Sequence, residues 1–558
     1  MSRILSPYFN ANNVNANVVR NFTGTDIKNI YAFPAPSATK QVVGVISLGG
    51  YLRGTIDGNG ILTGGDVQAY WTSIGITSKP VVKIVYVGGS TFDPTDNNSS
   101  LENTIDVEML GACCPTSNLT IILYYINQNV YTAGDPFYTV FNYAINTPVS
   151  VNGTMVKPTI ISCSWGASET AFSQAELIKY NTLFASAMAA GITITCAAGD
   201  NGSSNGTNTT VVDFPSSSPN VVSCGGTTLV CPSLTYSGPG TVETTWSLLN
   251  GKGTGGGVSG FFKGPPYVST TNKFRHSPDV SLVADPATGV AFTFNNVANT
   301  VVGGTSIVSP AIAGLAACLN LNRSLLKILY ALPASAYNDI TAGQNGAYSA
   351  SIGYDRCTGL GTINGTNFVT MCRNLIANSV TSISLPPSSS VVVGKTVQMI
   401  ATINPAAVYT GVSWVSSNAN ITVSSTGLVT GVTAGSADIS VVTNDGFLIA
   451  TSTLTVSPLV ITPPVVPPPV VTLPVVPLTL VMHGPNNRPV PQRVYLSRKT
   501  TYFFSVRTNS TMPVVWSSSN TRLATVSNGC IKTNSFVGSV VITATIPGLR
   551  VNVTITLL

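Results

Sequence analysis

Ser306 follows Gly303-Gly304-Thr305 and precedes the apolar stretch IVSPAIAGLAACLNL. A hydroxyl placed there either caps a helix or acts as a nucleophile. The glycines let a substrate backbone come close, and a helix N-terminus steadies developing negative charge. Glu102 and Asp106 stand four residues apart in LENTIDVEML, with Glu108 beside them. On a helix, that spacing puts the first two carboxylates on one face. They are either a solvated helix face or an acid–base pair. Asp200 follows the apolar run ITITCAAG and precedes Asn-Gly. It is either a turn residue or a site residue at the carboxyl end of a strand, where open α/β sheets bind ligands.

The elements that must hold these residues read as α/β. From residue 42 to about 295, short β-branched runs alternate with helical segments. The runs are VVGVISLGG, VVKIVYVGG, LTIILYYI, TIISCSWG, ITITCAAG and VVSCGG; the helices are GDVQAYWTSIG, SLENTIDVEMLGACC and SQAELIKYNTLFASAMAAG. Such alternation predicts a parallel sheet with helices on both faces. The stretch after Ser306 reads as a buried helix, with Pro310 tolerated near its start.

Near residue 378 the texture becomes all-β, and a repeat emerges. Trp414-Val-Ser-Ser-Asn recurs as Trp516-Ser-Ser-Ser-Asn, and Gly427 and Gly529 each follow their tryptophan by 13 residues. Two modules of about 80 residues, each with one core tryptophan, suggest β-sandwiches. They resemble the bacterial group 2 immunoglobulin-like domain, the first (TGLVTGVTAGSADISV) more closely than the second. The expected boundaries are 1–377 for the α/β domain, 378–456 and 479–558 for the sandwiches, and 457–478 for a proline-rich spacer between them.

Composition excludes several classes. The chain has 558 residues, of which 26 are Lys or Arg and 20 Asp or Glu, with a net charge of +6. Charged residues make up 8%, against about 25% in ordinary domains. No basic run offers itself to a phosphate backbone, so no nucleic-acid partner is expected. Two histidines cannot form a three-His zinc site. The ten cysteines include no C-x-x-C pair; Cys357 and Cys372 could pair. No membrane span is expected, because prolines break the most apolar stretch, 458–481.

Seven segments in order carry a resemblance. They are Ser164-Trp165-Gly166, Ala198-Gly199-Asp200-Asn201-Gly202, Asp213-Phe214-Pro215-Ser216-Ser217-Ser218-Pro219, Cys224-Gly225-Gly226-Thr227-Thr228, Thr254-Gly255-Gly256-Gly257-Val258-Ser259, Pro278-Asp279-Val280 with Ala284-Asp285-Pro286, and Gly303-Gly304-Thr305-Ser306. Over about residues 28 to 375 the chain resembles the sedolisin family of serine-carboxyl peptidases, which have a subtilisin-like fold. The resemblance implies that Ser306 is the nucleophile, Glu102 its general base, Asp106 the acid orienting that base, and Asp200 a carboxyl lining the oxyanion hole. It also implies acid-acting hydrolysis of polypeptide substrates. A Glu base, with an unperturbed pKa of about 4.3, works where imidazole, at about 6.5, is protonated. Asp200 donates a hydrogen bond only when protonated.

The resemblance further implies one Ca2+ held by the Asp339 and Asp355 carboxylates and the carbonyls of Ile340, Ser351 and Gly353, a hard-oxygen set. Ser351 stands where the family usually has Gly, and Ser47 where relatives often have Glu. Met1 lies some 40 residues before the first strand, so no full propeptide is expected. The N-terminus shows no evident signal peptide, and the location expected is extracellular or virion-associated. The alternative reading is a structural or surface protein, in a virion for instance. It would use a peptidase-like scaffold, with the Ig-like modules binding a surface or another protein. The sparse charge itself suits an acid-working chain, since fully protonated it would carry only its 26 Lys and Arg and 2 His as positive charges.

Overall fold

The computed structural model describes residues 5–8, 10–11, 21–265, 273–321, 323–377, 380, 382–404, 411–443, 448–459 and 479–558. They fall into two compact units, Met1–Val460 and Ile461–Leu558.

The first unit is built on a parallel sheet. Its strands are β1 (Gln41–Ser47), β2 (Val81–Tyr86), β3 (Leu119–Tyr125), β4 (Ile160–Cys163), β5 (Thr193–Ala197), β6 (Val222–Val230), β7 (Val280–Val283) and β8 (Thr362–Ile363). In space they run β2-β3-β1-β4-β5-β6-β7-β8, all pairs parallel. Each strand is apolar throughout because both of its faces are covered. In β3, Ile121 and Leu123 join one core while Ile122 and Tyr124 join the other. The first core is roofed by helices α1 (Asn97–Cys113) and α4 (Val308–Leu319), the second by α2 (Pro136–Asn146) and α3 (Gln174–Ala189). Local chemistry starts these helices. The Asp96 side chain accepts from Ser99 N to cap α1, Asp135 caps α2 ahead of Pro136, and Ser173 with Glu176 forms a capping box on α3.

The chain visits β1, β2 and β3 on one side of β1, then crosses to β4 on the other. At such a switch point the loops leaving neighbouring strands diverge and open a crevice at the carboxyl ends. Residues 164 and 198–200 leave β4 and β5 at that end.

The all-β strands follow the predicted alternation. In the first unit, Ser388–Val392, Ile449–Ser457, Gly435–Thr443 and Val412–Ser416 form a four-stranded sheet, and Thr396–Gln398, Leu428–Gly431 and Ile421–Val423 a three-stranded one. The second unit repeats this order with Arg493–Leu496, Leu549–Leu557, Gly538–Ile546 and Val515–Ser518, and with Thr501–Phe503, Cys530–Thr533 and Ala524–Ser527. The Trp–Gly spacing has a steric cause. Gly427 (φ +83) and Gly529 (φ +77) adopt a left-handed backbone, and a Cβ there would stand 2.8 Å and 3.3 Å from Cζ2 of Trp414 and Trp516. The tryptophans are half-buried and pack against the cores of their modules, as expected. Leu448 of the first module packs against the α/β core.

From residue 460 onward, the expected proline-rich spacer lies outside the described residues. All ten cysteines are free, so Cys357 and Cys372 do not pair. Among the described residues, no helix is long and apolar enough to cross a membrane.

Candidate active site

Helix α1 carries Glu102 and Asp106 one turn apart, and both are fully buried. Ser306 lies between the strand Val297–Gly303 and α4, also fully buried. The Ser306 hydroxyl donates to Glu102 Oε2 at 3.1 Å. Beyond β4, Ser164 Oγ donates to Asp106 Oδ1 at 2.6 Å and reaches the Ser306 carbonyl at 3.4 Å. Beyond β5, Asp200 Oδ1 accepts from Thr305 N at 2.8 Å and from Thr305 Oγ1 at 2.9 Å, while Thr305 Oγ1 accepts from Gly199 N at 3.1 Å. Three loops and one helix thus bring together the four residues singled out in the sequence. Their separation along the chain reaches 204 positions.

Electrostatics here are set by burial. Desolvation first, and then the Asp106 charge, raises the Glu102 pKa well above its ordinary value, and desolvation likewise raises Asp106. Glu102 Oε1 and Asp106 Oδ2 have no hydrogen-bond partner among the described residues. Each of the two carboxyls therefore holds its proton to a higher pH than it would in water. Nearby, burial pushes Asp213 up to about 8, and Asn205 Nδ2 donates to its Oδ1 at 2.6 Å. His276 stands elsewhere, stacked on Tyr354, and burial lowers its pKa to about 4.

Glu108, beside the pair in sequence, serves a different purpose. Its Oε2 accepts from Thr293 N at 3.0 Å, so it braces the strand Val290–Phe294. Six positions after Glu102, it faces away from it on the helix. Two partners lacked an assigned role in the sequence. Ser164 was visible only inside its motif, and Thr305 only as the neighbour of Ser306.

The proposed calcium loops also converge. Asp339 Oδ2 accepts from Gly353 N at 2.9 Å, and Asp355 Oδ2 from Ser351 N at 3.1 Å. Asp355 Oδ1 is held by the N–H groups of Cys357 and Thr358. Among the described residues, no hydrogen-bond donor occupies the carbonyls of Ile340, Ser351 or Gly353. Two carboxylates on these loops are the kind of oxygen donor a hard cation takes. No group of three or more His, Cys, Asp and Glu side chains forms another candidate metal cluster among the described residues.

Comparison with known proteins gives matches to two parts of the chain. Residues 144–325 match the subtilase family, and residues 379–454 match the bacterial Ig-like domain (group 2). Kumamolisin of Bacillus sp. (strain MN-32) is 34% identical over 368 residues, covering 61% of this chain and 62% of that protein. Sedolisin of Pseudomonas sp. (strain 101) is 30% identical over 378 residues, covering 62% of this chain and 60% of that protein. The solved structure of Pseudomonas sedolisin, a serine-carboxyl proteinase complexed with two molecules of pseudo-iodotyrostatin, aligns with a TM-score of 0.55 at 28% identity. It covers 64% of this chain and 99% of that one. The chain spans about three fifths of the length of the curated relatives it matches. Its α/β part therefore has a subtilisin-like fold and is a homologue of kumamolisin and sedolisin, with a group 2 bacterial Ig-like domain behind it.

Proposed function

We propose that the chain is a serine-carboxyl peptidase that hydrolyses peptide bonds in acid through an acyl-enzyme on Ser306. The hydrogen bond from Ser306 Oγ to Glu102 Oε2 carries this reading. A buried carboxylate is the group positioned to take the serine proton, and no imidazole is engaged there. Ser306 Oγ attacks the substrate carbonyl carbon and its proton passes to Glu102. Asp106, held by Ser164, keeps the charge of the pair low and orients Glu102. The Ser306 backbone N–H and a protonated Asp200 stabilise the developing oxyanion. Glu102 returns the proton to the leaving amine, and water then hydrolyses the ester by the reverse route.

Asp200 donates a hydrogen bond to the oxyanion only when protonated, which favours acid operation. Asp339, Asp355 and the carbonyls of Ile340, Ser351 and Gly353 would hold one Ca2+, which when bound would tie the two loops together. The Ig-like modules supply none of the catalytic set and are read as attachment to a surface or another protein. The test is cleavage of denatured protein from pH 3 to 7 by the purified chain and by Ser306→Ala, with and without a peptide aldehyde. Hydrolysis should rise toward acid and fall roughly 10⁴-fold in the variant. Equal rates in both chains would overturn the reading.

A further inference from the structure

The last Ig-like module carries a charge that its own fold does not use. All eight Lys and Arg of residues 479–558 are exposed, and the same stretch has no Asp or Glu to pair with them. The other 478 residues hold 18 Lys and Arg against 20 Asp and Glu. The positive balance of the chain therefore lies in this one module. Three of its cations, Arg498, Lys499 and Arg522, gather at one end.

Hydrogen bonds to the main chain fix that end. Lys499 N donates to the Asn534 carbonyl at 3.3 Å. The Arg498 guanidinium donates to the Ser535 carbonyl at 3.4 Å and to the Leu558 carbonyl at 2.9 Å. Asn534 Nδ2 donates in turn to the carbonyls of Thr521 and Arg522, at 3.2 Å and 3.1 Å. The turns that bear the three cations are thus tied to residues 534–535. The next two residues, Phe536 and Val537, are 56% and 67% exposed. An aromatic and a branched aliphatic side chain are held out to solvent beside the cations.

The first Ig-like module is built on the same plan and lacks this arrangement. Lys499 adopts a left-handed backbone (φ +53). Its counterpart is Gly394 (φ +78), whose N–H donates to the Gly431 carbonyl at 2.9 Å. Such a φ suits Gly and is unfavourable for Lys. Arg522 comes two residues after the Asn of the repeated Trp-x-Ser-Ser-Asn motif, where the first module has Asn420. Phe536 and Val537 directly precede Gly538, where the first module has Thr433 and Ala434 before Gly435. The sandwich therefore folds without cations or an apolar pair at these places.

We propose that this end of the module docks the chain onto an anionic lipid surface, with Phe536 and Val537 entering the headgroup layer and Arg498, Lys499 and Arg522 meeting lipid phosphates. The proposal rests on the attachment role read above for the Ig-like modules and names the surface. Basic side chains near an anionic membrane are drawn by its negative potential. Their long apolar stems reach into the interface while the charge stays at the headgroups. Phe536 and Val537 gain by leaving water. A soluble polyanion would satisfy the cations and leave that apolar pair in water, so lipid fits both halves of the surface. The rest of the chain, slightly acidic in balance, adds no net attraction at neutral pH.

The test is co-sedimentation of the full chain at neutral pH with phosphatidylcholine vesicles, with and without about 30% phosphatidylglycerol. Binding is expected to the anionic vesicles alone, and should weaken as salt is raised. Lys499→Gly and Arg522→Asn, which install the first module's residues, should each weaken it about fivefold. Phe536→Thr combined with Val537→Ala should weaken it by at least about tenfold. Arg550 lies at the far end of the hairpin that begins at Gly538, so Arg550→Gln should change binding less than about twofold. The Tm of the second unit and peptide hydrolysis should hold in every variant, which separates lost docking from lost folding. Equal binding to both vesicles overturns the proposal, as does Arg550→Gln proving as damaging as Arg522→Asn. Binding to dextran sulfate but not to vesicles overturns it and assigns the attachment to an acidic polysaccharide. A dimer that Phe536→Thr dissolves, with no vesicle binding, overturns it in favour of a second copy. A chain that binds none of these also overturns it, and leaves another protein as the partner in the attachment reading.

Discussion

The α/β region and the last Ig-like module divide the charge of the chain unequally. Residues 1–377 hold 18 of the 20 Asp and Glu and 17 of the 26 Lys and Arg. Residues 479–558 hold eight Lys and Arg and no Asp or Glu. Of the 18 carboxyls, nine are buried, and Asp279 pairs with the buried Arg275 guanidinium. Desolvation is the leading cause of raised pKa values at Glu102, Asp106, Glu108, Asp213 and Asp355. One region thus changes protonation as the pH moves through the acid range, whereas the other keeps a fixed positive charge. Titration belongs to the part that holds the candidate active site.

Four measurements probe this contrast. Glu102→Gln keeps the shape of the side chain but cannot accept the serine proton. It should lower kcat by at least about 10³-fold, while the melting of the second unit stays unchanged. The second measurement is stability against pH. A carboxyl whose folded pKa is raised, such as Asp213 from 3.8 to about 8, keeps its proton in the folded state while the unfolded chain has lost it. Its stabilisation is full below about pH 4 and disappears as the pH climbs toward 8. Calorimetry should show the first unit losing up to about 4 kcal/mol per such group between pH 4 and 7. Asp213→Asn should flatten that slope, and the second unit should show little dependence. A first unit that melts higher at pH 7 than at pH 4 would contradict the assignment.

Third, a calcium chelator should lower the Tm of the first unit alone, by the equivalent of about 3 kcal/mol if the free ion had been at 100 times its Kd. Asp339→Asn should remove the response. Fourth and smallest, Gly529→Ala should cost the second unit about 2 kcal/mol, through its positive φ and a Cβ 2.0 Å from the Phe504 carbonyl oxygen. The first unit and peptide hydrolysis should be unaffected.

Much of this was written locally. The i, i+4 spacing of Glu102 and Asp106 needs only a helix to align them, and the apolar runs around residues 42–47 and 119–125 need only a sheet covered on both sides. The Gly-Gly-Thr-Ser run ahead of an apolar helix marked Ser306 in the same way. Other features depended on partners that no local pattern reveals. Ser6–Pro7 and Asn10–Ala11 are two-residue strands whose partners lie some 150 to 290 positions away. Nothing in SPYFNA announces them. Glu108 received no role from the sequence, and its bond to Thr293 N depends on a strand 185 positions away. The tryptophans, by contrast, were legible by type, and both pack against the cores of their modules.

The buried carboxyls have a consequence for where the chain can fold. Folding of the first unit takes up protons between about pH 4 and 8, so acidification does thermodynamic work on the folding equilibrium. Between a neutral and an acidic compartment, the folded first unit is relatively more stable on the acidic side. A fall in pH would thus consolidate the first unit while leaving the last Ig-like module, which has no Asp or Glu, almost untouched.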